Sequence, residues 1–355
     1  MTSLAAFLLA AAVTLAATPA AIALARRTAF FDHPAGYKGH GAPTPYLGGL
    51  AVLAGFAVGA LAFGDAAGSY AVLLACAIGL LVLGTVDDRR PIAPRWRVLA
   101  EIAAAVALYS ADLGWSVFDV AALDLLLTVA WVVGLCNAFN LMDNLDGASA
   151  TVAGVSAAGV GAVALIYNGA ELAALAFALA GACAAFLRFN LARPSARIFL
   201  GDGGSLLVGF VVAAAAMVAS QGPAFHASAV LFAALLVGLA IFDTTLVVFS
   251  RRRAGVPLVT AGRDHLTHRL LSRLGSPRRV ALVLGVTQAW LCGTAIVGAE
   301  VGSIALTAIA SLAVACGGWG LAVLDSRAWR PERPEPGRPE AERPYEPATP
   351  SVEPR

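Results

Sequence analysis

Two aspartates stand side by side at Asp87 and Asp88 in the stretch VDDRRPIAPRWR, with four arginines close behind them. Adjacent carboxylates repel, and one tends to take up a proton unless a cation sits between them. Further acids recur at the ends of apolar runs, as Asp143 and Asp146 in NLMDNLDG and as Asp202 in FLGDGGS. Oxygen ligands without paired cysteines or a dense histidine cluster suit Mg²⁺ or Mn²⁺ better than Zn²⁺. The arginines, Lys38 (the only lysine) and the glycines of FLGDGGS suit phosphate oxygens, which guanidinium forks and exposed backbone N–H groups both bind. Carboxylates, a hard cation and phosphate-binding groups together point to phosphoryl transfer.

The elements that carry these residues belong to a membrane protein. Of the 355 residues, 59% are hydrophobic and 13% charged, with a mean hydropathy of +0.79 and repeated apolar runs of about 17 to 24 residues. Eleven helical spans are expected, at about 3–25, 47–63, 70–86, 98–113, 120–137, 148–167, 170–187, 205–221, 226–248, 280–299 and 302–324. No basic residue precedes the first span, and Arg26 and Arg27 follow it, which favours a retained helix over a cleaved signal peptide. All 24 basic residues fall in the loops after the odd-numbered spans or in the tail. The positive-inside rule then puts those loops in the cytoplasm of a bacterial-type cell and the N-terminus outside. The expected architecture is therefore an all-α, multi-pass protein of the inner (plasma) membrane, residues 1–324, with a cytoplasmic active site. Residues 325–355 form a Pro/Glu/Arg-rich tail that cannot bury a core. Phosphoryl transfer at such a face implies a lipid as one reactant.

Plainer readings compete with each feature. Single arginines after a span serve as topology determinants, Asp87 and Asp88 as solvated helix-end charges, and His265 and His268 as an ordinary polar patch. The five cysteines, odd in number and scattered, read as packing residues. Glu101, four residues after Arg97, is placed to pair with it along a helix. Asp243, inside the apolar run IFDTTLVVF, is too costly at that depth to be ornamental and needs a function or a partner. An ion-coupled transporter would also use an intramembrane acid and helix breaks, although its polar motifs would cluster at the midplane instead of on one side.

Five motifs occur in order: K-x-H…PTPYLGG, G-x-x-DD, N-x-x-N-x-x-D-x-x-DG, F-x-GD-x-GS and R-D-H-x-x-H. Together they resemble the polyprenyl-phosphate N-acetylhexosamine-1-phosphate transferases of glycosyltransferase family 4, over about residues 30 to 272. The resemblance implies Mg²⁺-dependent transfer of a sugar 1-phosphate, N-acetylglucosamine 1-phosphate in the first instance, from a UDP-sugar to undecaprenyl or decaprenyl phosphate with release of UMP. It implies that Asp87 and Asp88 bind Mg²⁺ and deprotonate or orient the lipid phosphate, and that Asp202 is a metal ligand. Phe199 would lie near the uracil, and Asn140, Asp143 and Asp146 would line the nucleotide site. Lys38, His40, Asn190, Arg263, His265 and His268 would hold phosphates and sugar. The family often carries a further histidine where Thr267 stands, and many members carry lysine where this chain has Arg97. The closest alternative is the phospho-N-acetylmuramoyl-pentapeptide transferase branch, which generally lacks a histidine at the position of His40. Expected partners are the UDP-sugar, the polyprenyl phosphate and membrane lipids, with homodimerisation open and no nucleic acid.

Overall fold

The computed structural model describes residues 1–33, 43–118, 120–221, 228–258, 262–326 and 329. Thirteen helices are present among them: α1 (Thr2–Arg27), α2 (Gly48–Phe63), α3 (Ala71–Arg89), α4 (Pro94–Ser110), α5 (Ala121–Met142), α6 (Ala148–Tyr167), α7 (Ala170–Asn190), α8 (Gly201–Ala219), α9 (Ala229–Leu236), α10 (Gly238–Ala254), α11 (Leu266–Leu274), α12 (Pro277–Val301) and α13 (Ser303–Leu324). Eight are long and apolar enough to cross a membrane, and a ninth span results if α9 and α10 are one broken crossing. The eleven expected spans are not all of that kind. Helix α2 is apolar but only 16 residues long, and α4 carries Arg95, Arg97 and Glu101.

Helix α8 is the hub, packed by α3, α5, α6 and α2, and nearly its whole length is buried. Small residues allow this density. A Cβ on Gly84 of α3 would lie 2.5 Å from the Gly203 Cα on α8, and one on Gly49 of α2 would lie 2.5 Å from the Gly204 Cα. Without side chains at these crossings, backbones approach closely, which is how apolar helices gain packing when lipid offers no hydrophobic drive. Helix α13, at the periphery, buries little more than Leu306 and Ala310.

The expected span 226–248 is instead two helices meeting at an 86° bend. Backbone groups freed by such a break need internal partners. Gln288 of α12, wholly buried, supplies them: its side-chain oxygen accepts from Leu239 N–H at 3.1 Å, and its amide donates to the Leu236 carbonyl at 2.9 Å.

Several helices also continue past the apolar runs that announce them. Helix α3 includes Asp87 and Asp88, α5 includes Asn140, and α8 begins at Gly201. The motifs therefore sit on helix ends instead of wholly on loops. A short antiparallel pair, β1 (Phe31–Asp32) and β2 (Thr44–Pro45), closes the same end of the bundle, with Phe31 opposite Pro45.

Candidate active site

Asp87 and Asp88 resolve their repulsion by pointing at different partners. Asp87 accepts from Ile92 N–H at 2.5 Å and from Arg97 Nη1 at 2.8 Å. Asp88 turns toward α8, accepting from Asp202 N–H at 3.0 Å and, at 3.5 Å, from Gly203 N–H. Helix α8 has no side-chain cap of its own, so Asp88 caps it from another helix, using the orphan donors and the positive end of the helix dipole. Gly201 makes room for this: its φ is +78°, and a Cβ there would stand 2.7 Å from Asp88 Oδ2.

Arg97, on the first turns of α4, joins the remaining groups. Its Nη1 also reaches Asp202 Oδ2 at 3.2 Å, and its Nη2 donates to Asn140 Oδ1 at 2.7 Å. Asn140 in turn donates to Asp202 Oδ1 and to Ser205 Oγ, both at 2.9 Å. One helix turn further along, Asn137 donates to the fully buried Glu101 at 2.6 Å. Glu101 thus pairs across to α5, where a pairing with Arg97 was expected, and α4 and α5 are joined by two polar rungs.

Residues 43–49 dock against the segment before Asp202. Phe199 N–H donates to the Pro45 carbonyl at 2.9 Å, while Gly48 and Gly49 N–H groups donate to the Phe199 and Leu200 carbonyls at 3.0 and 2.9 Å. The glycines of PTPYLGG thereby have their N–H groups satisfied by the backbone that presents Asp202. Tyr46 and Phe199, both partly exposed, stand with ring centroids 6.2 Å apart. Burial, with the charges of Asp32 and Asp88, pushes the Tyr46 phenol well up. Lys38 and His40 lie outside the described residues.

Asp143 and Asp146 occupy the turn between α5 and α6, both half-buried. Burial, reinforced by Asp202, Asp88 and Asp146, pushes the Asp143 carboxyl well above the usual range, which favours its neutral form beside the aspartate cluster. Asn190 has a different place from the one expected. It is buried, its oxygen accepts from Gly147 N–H at 2.6 Å, and its amide donates to the Ile198 carbonyl at 3.0 Å. With both ends of the amide taken by backbone, it ties the Asp146 turn to the Phe199 segment and positions both.

The segment after α10 is organised by ion pairs. Arg251 forks onto Asp264 at 2.6 and 2.8 Å, and this guanidinium outweighs burial to hold the Asp264 carboxyl below its usual range. Asp243, wholly buried, receives His265 Nδ1 at 2.8 Å and Leu266 N–H at 2.7 Å. The acid in the apolar run thus orients the motif histidine. His268 packs edge-on against His265, and burial, together with His265 and Arg263, lowers its pKa to about 4. Arg263 is exposed beside them. Thr267, at the position where the family often has histidine, is buried and donates to Asn144 Oδ1, which docks this segment onto the α5–α6 turn. Asp325, expected to open the tail, is 1% exposed and bonds Ser250 and Arg253, both at 2.7 Å.

Reasoning from sequence left out Asp243 as the partner of His265, Tyr46 beside Phe199, and Thr267 as a tether. The intramembrane acid was the one signal that pointed to any of them. Among the described residues, no three acidic, histidine or cysteine side chains converge as a metal cage. The positive charge in contact with both Asp87 and Asp202 is the Arg97 guanidinium.

Carboxylates, guanidinium groups and helix-end N–H groups thus gather at one end of a polytopic helical bundle. Residues 70–220 match Glycosyl transferase family 4. The chain is 34% identical over 321 residues to the decaprenyl-phosphate N-acetylglucosaminephosphotransferase of Mycobacterium tuberculosis H37Rv, covering 78% of each chain. It is 28% identical over 302 residues to a probable undecaprenyl-phosphate N-acetylglucosaminyl 1-phosphate transferase of Bacillus subtilis, covering 79% of this chain and 80% of the other. It is 29% identical over 276 residues to the undecaprenyl-phosphate α-N-acetylglucosaminyl 1-phosphate transferase of Escherichia coli K12, covering 74% of each. The chain belongs to glycosyl transferase family 4.

Proposed function

We propose that this protein transfers N-acetylglucosamine 1-phosphate from UDP-N-acetylglucosamine to a polyprenyl phosphate at the cytoplasmic face of the membrane, releasing UMP. The observation that carries this reading is the joining of Asp87, Asp202, Asn140 and Arg97 from four helices at one end of an apolar bundle. That arrangement presents charge to phosphates while the hydrophobic surface below meets lipid.

The reaction is a single displacement. An oxygen of the lipid phosphate attacks the β-phosphorus of the UDP-sugar, and a new P–O bond forms as the bond to the bridging oxygen breaks. UMP departs with that electron pair, and the product is a polyprenyl diphosphate sugar. Asp87 and Asp202 are the residues to hold a divalent cation, Mg²⁺ or Mn²⁺, which when bound neutralises charge on the diphosphate. Asp88 keeps the N-terminus of α8 in register, so Asp202 stays facing Asp87. Arg97 and Arg263 supply guanidinium contacts to phosphate oxygens. Phe199 and Tyr46 offer aromatic faces to the uracil, and His265, oriented by Asp243, offers its free imidazole nitrogen to phosphate or sugar.

The test is purified protein with a polyprenyl phosphate and a panel of UDP-sugars, following UMP release. Turnover with UDP-N-acetylglucosamine or a close hexosamine is expected, with little from UDP-N-acetylmuramoyl-pentapeptide. Efficient use of the pentapeptide donor alone would transfer the protein to the other branch. Loss of activity in EDTA, restored by Mg²⁺ or Mn²⁺, is the expected metal dependence.

A further inference from the structure

We propose that Arg97 is a resident counter-ion: it bonds and neutralises Asp87 and Asp202 until a divalent cation arrives, and the two cations are alternative occupants of that carboxylate pair. This inference rests on the metal-assisted reading above and adds a role for one residue.

The geometry carries it. A single nitrogen, Arg97 Nη1, stands 2.8 Å from Asp87 Oδ2 and 3.2 Å from Asp202 Oδ2, so one guanidinium nitrogen serves both oxygens. Asp88 is directed at backbone N–H groups of α8 and does not contribute to that gap. A metal placed between Asp87 and Asp202 would meet Nη1 at close range, and two cations sharing the same two oxygens repel strongly in a partly desolvated site. The arginine side chain is long, and its other nitrogen already points to Asn140 on the α5 end that leads into the Asp143–Asp146 turn. Displaced from the acids, the guanidinium has donor phosphate oxygens as its natural next partner, because its planar fork matches them. The same side chain thus keeps the acids from repelling in the resting protein and delivers positive charge to the diphosphate once the metal is in place.

Binding of Mn²⁺ tests this without turnover. Mn²⁺ is titrated into the full-length protein in lipid nanodiscs without nucleotide, and free Mn²⁺ is read by electron paramagnetic resonance. Arg97→Gln removes the competitor and should bind Mn²⁺ roughly tenfold tighter than the wild type, within the usual size of a coupling between two ligands. Arg97→Lys, whose ammonium cannot bridge Asp87, Asp202 and Asn140 at once, should fall between them. That variant keeps the charge and so keeps the test decisive if Arg97→Gln does not fold. Equal or weaker Mn²⁺ binding in the variants than in the wild type overturns the counter-ion role. Absence of any wild-type binding that Asp87→Asn or Asp202→Asn weakens overturns the metal-assisted reading itself, a separate result.

Discussion

At the scale of residues, the aspartates divide the work. Asp202 faces Arg97 and Asn140 and remains 38% exposed, so it is the acid placed to meet a cation or substrate. Asp202→Asn should lower turnover by at least about a hundredfold, the usual size of a lost charge at such a site; UMP release measures it. His268 gives a prediction in pH. Its pKa is lowered from 6.5 to about 4 by burial and by His265 and Arg263, so the unfolded chain binds the proton more readily. Stability should be fully present above pH 6.5 and decline as pH falls toward about 4. His268→Gln should flatten that decline in thermal melts taken between these limits. The types of these residues were legible in the sequence, because isolated acids and histidines among apolar runs have few uses. Their directions were not. Adjacency says that Asp87 and Asp88 repel, but only the packing of α3 against α8 says that one turns to an arginine and the other to a helix end. Likewise, 22 residues separate Asp243 from His265, and no periodicity links a mid-helix acid to a loop histidine.

At the scale of elements, the crossings of α8 decide how far apart the acids stand. A Cβ on Gly203 would meet the Leu81 carbonyl oxygen at 2.6 Å and Thr85 N at 2.9 Å, backbone atoms that cannot yield alone. Gly203→Ala should therefore cost about 1–3 kcal/mol in stability and reduce activity by pushing α8 from α3. Gly134→Ala on α5, where an added Cβ meets nothing within 4 Å, should be neutral or stabilising by about 0.5–1 kcal/mol; paired melts and activity assays separate the two. The cap from α3 makes a second claim at this scale. Asp88→Ala strips two N–H groups of α8 of their acceptor and should cost about 0.5–2 kcal/mol, whereas Asp88→Asn keeps one acceptor oxygen and should cost less. Apolar length showed where most of the helices run. It did not show where they end, because backbone hydrogen bonding continues beyond the last apolar residue when the next polar side chains find partners on neighbouring helices. Nor did it show the 86° break before Gly238, since the apolar run continues from Ala229 across it to Phe242 and the compensating Gln288 lies 50 residues further along the chain.

At the scale of the whole molecule, charge and chemistry fall at the same end. The aspartates of α3 and α8, the α5–α6 turn and the segment after α10 are joined by hydrogen bonds among themselves, Arg97 to Asn140 and Thr267 to Asn144 being the cross-links. The opposite end carries other fastenings, such as Tyr167 to Glu300 and Asn168 to the Val218 carbonyl, with no basic side chain in them. This polarity was legible in the sequence, since all 24 basic residues lie on one set of connections or in the tail; the mutual docking of those connections was not, because it depends on which helices neighbour α8. The bias of lysine and arginine toward the cytoplasm acts during insertion and fixes orientation through short loops. A reporter active only in the cytoplasm should therefore score when fused near Leu258, beside Arg251–Arg253, and stay silent when fused near Asn168, between α6 and α7. A reporter active only outside should give the reverse. Since UDP-sugars are the proposed donors, the site must face the compartment where nucleotides are held, and the two fusions decide that directly. Signal from the outside reporter at Leu258 would place the aspartate cluster on the external face and end the assignment of a nucleotide-sugar donor, whatever the similarity of the chain to its relatives.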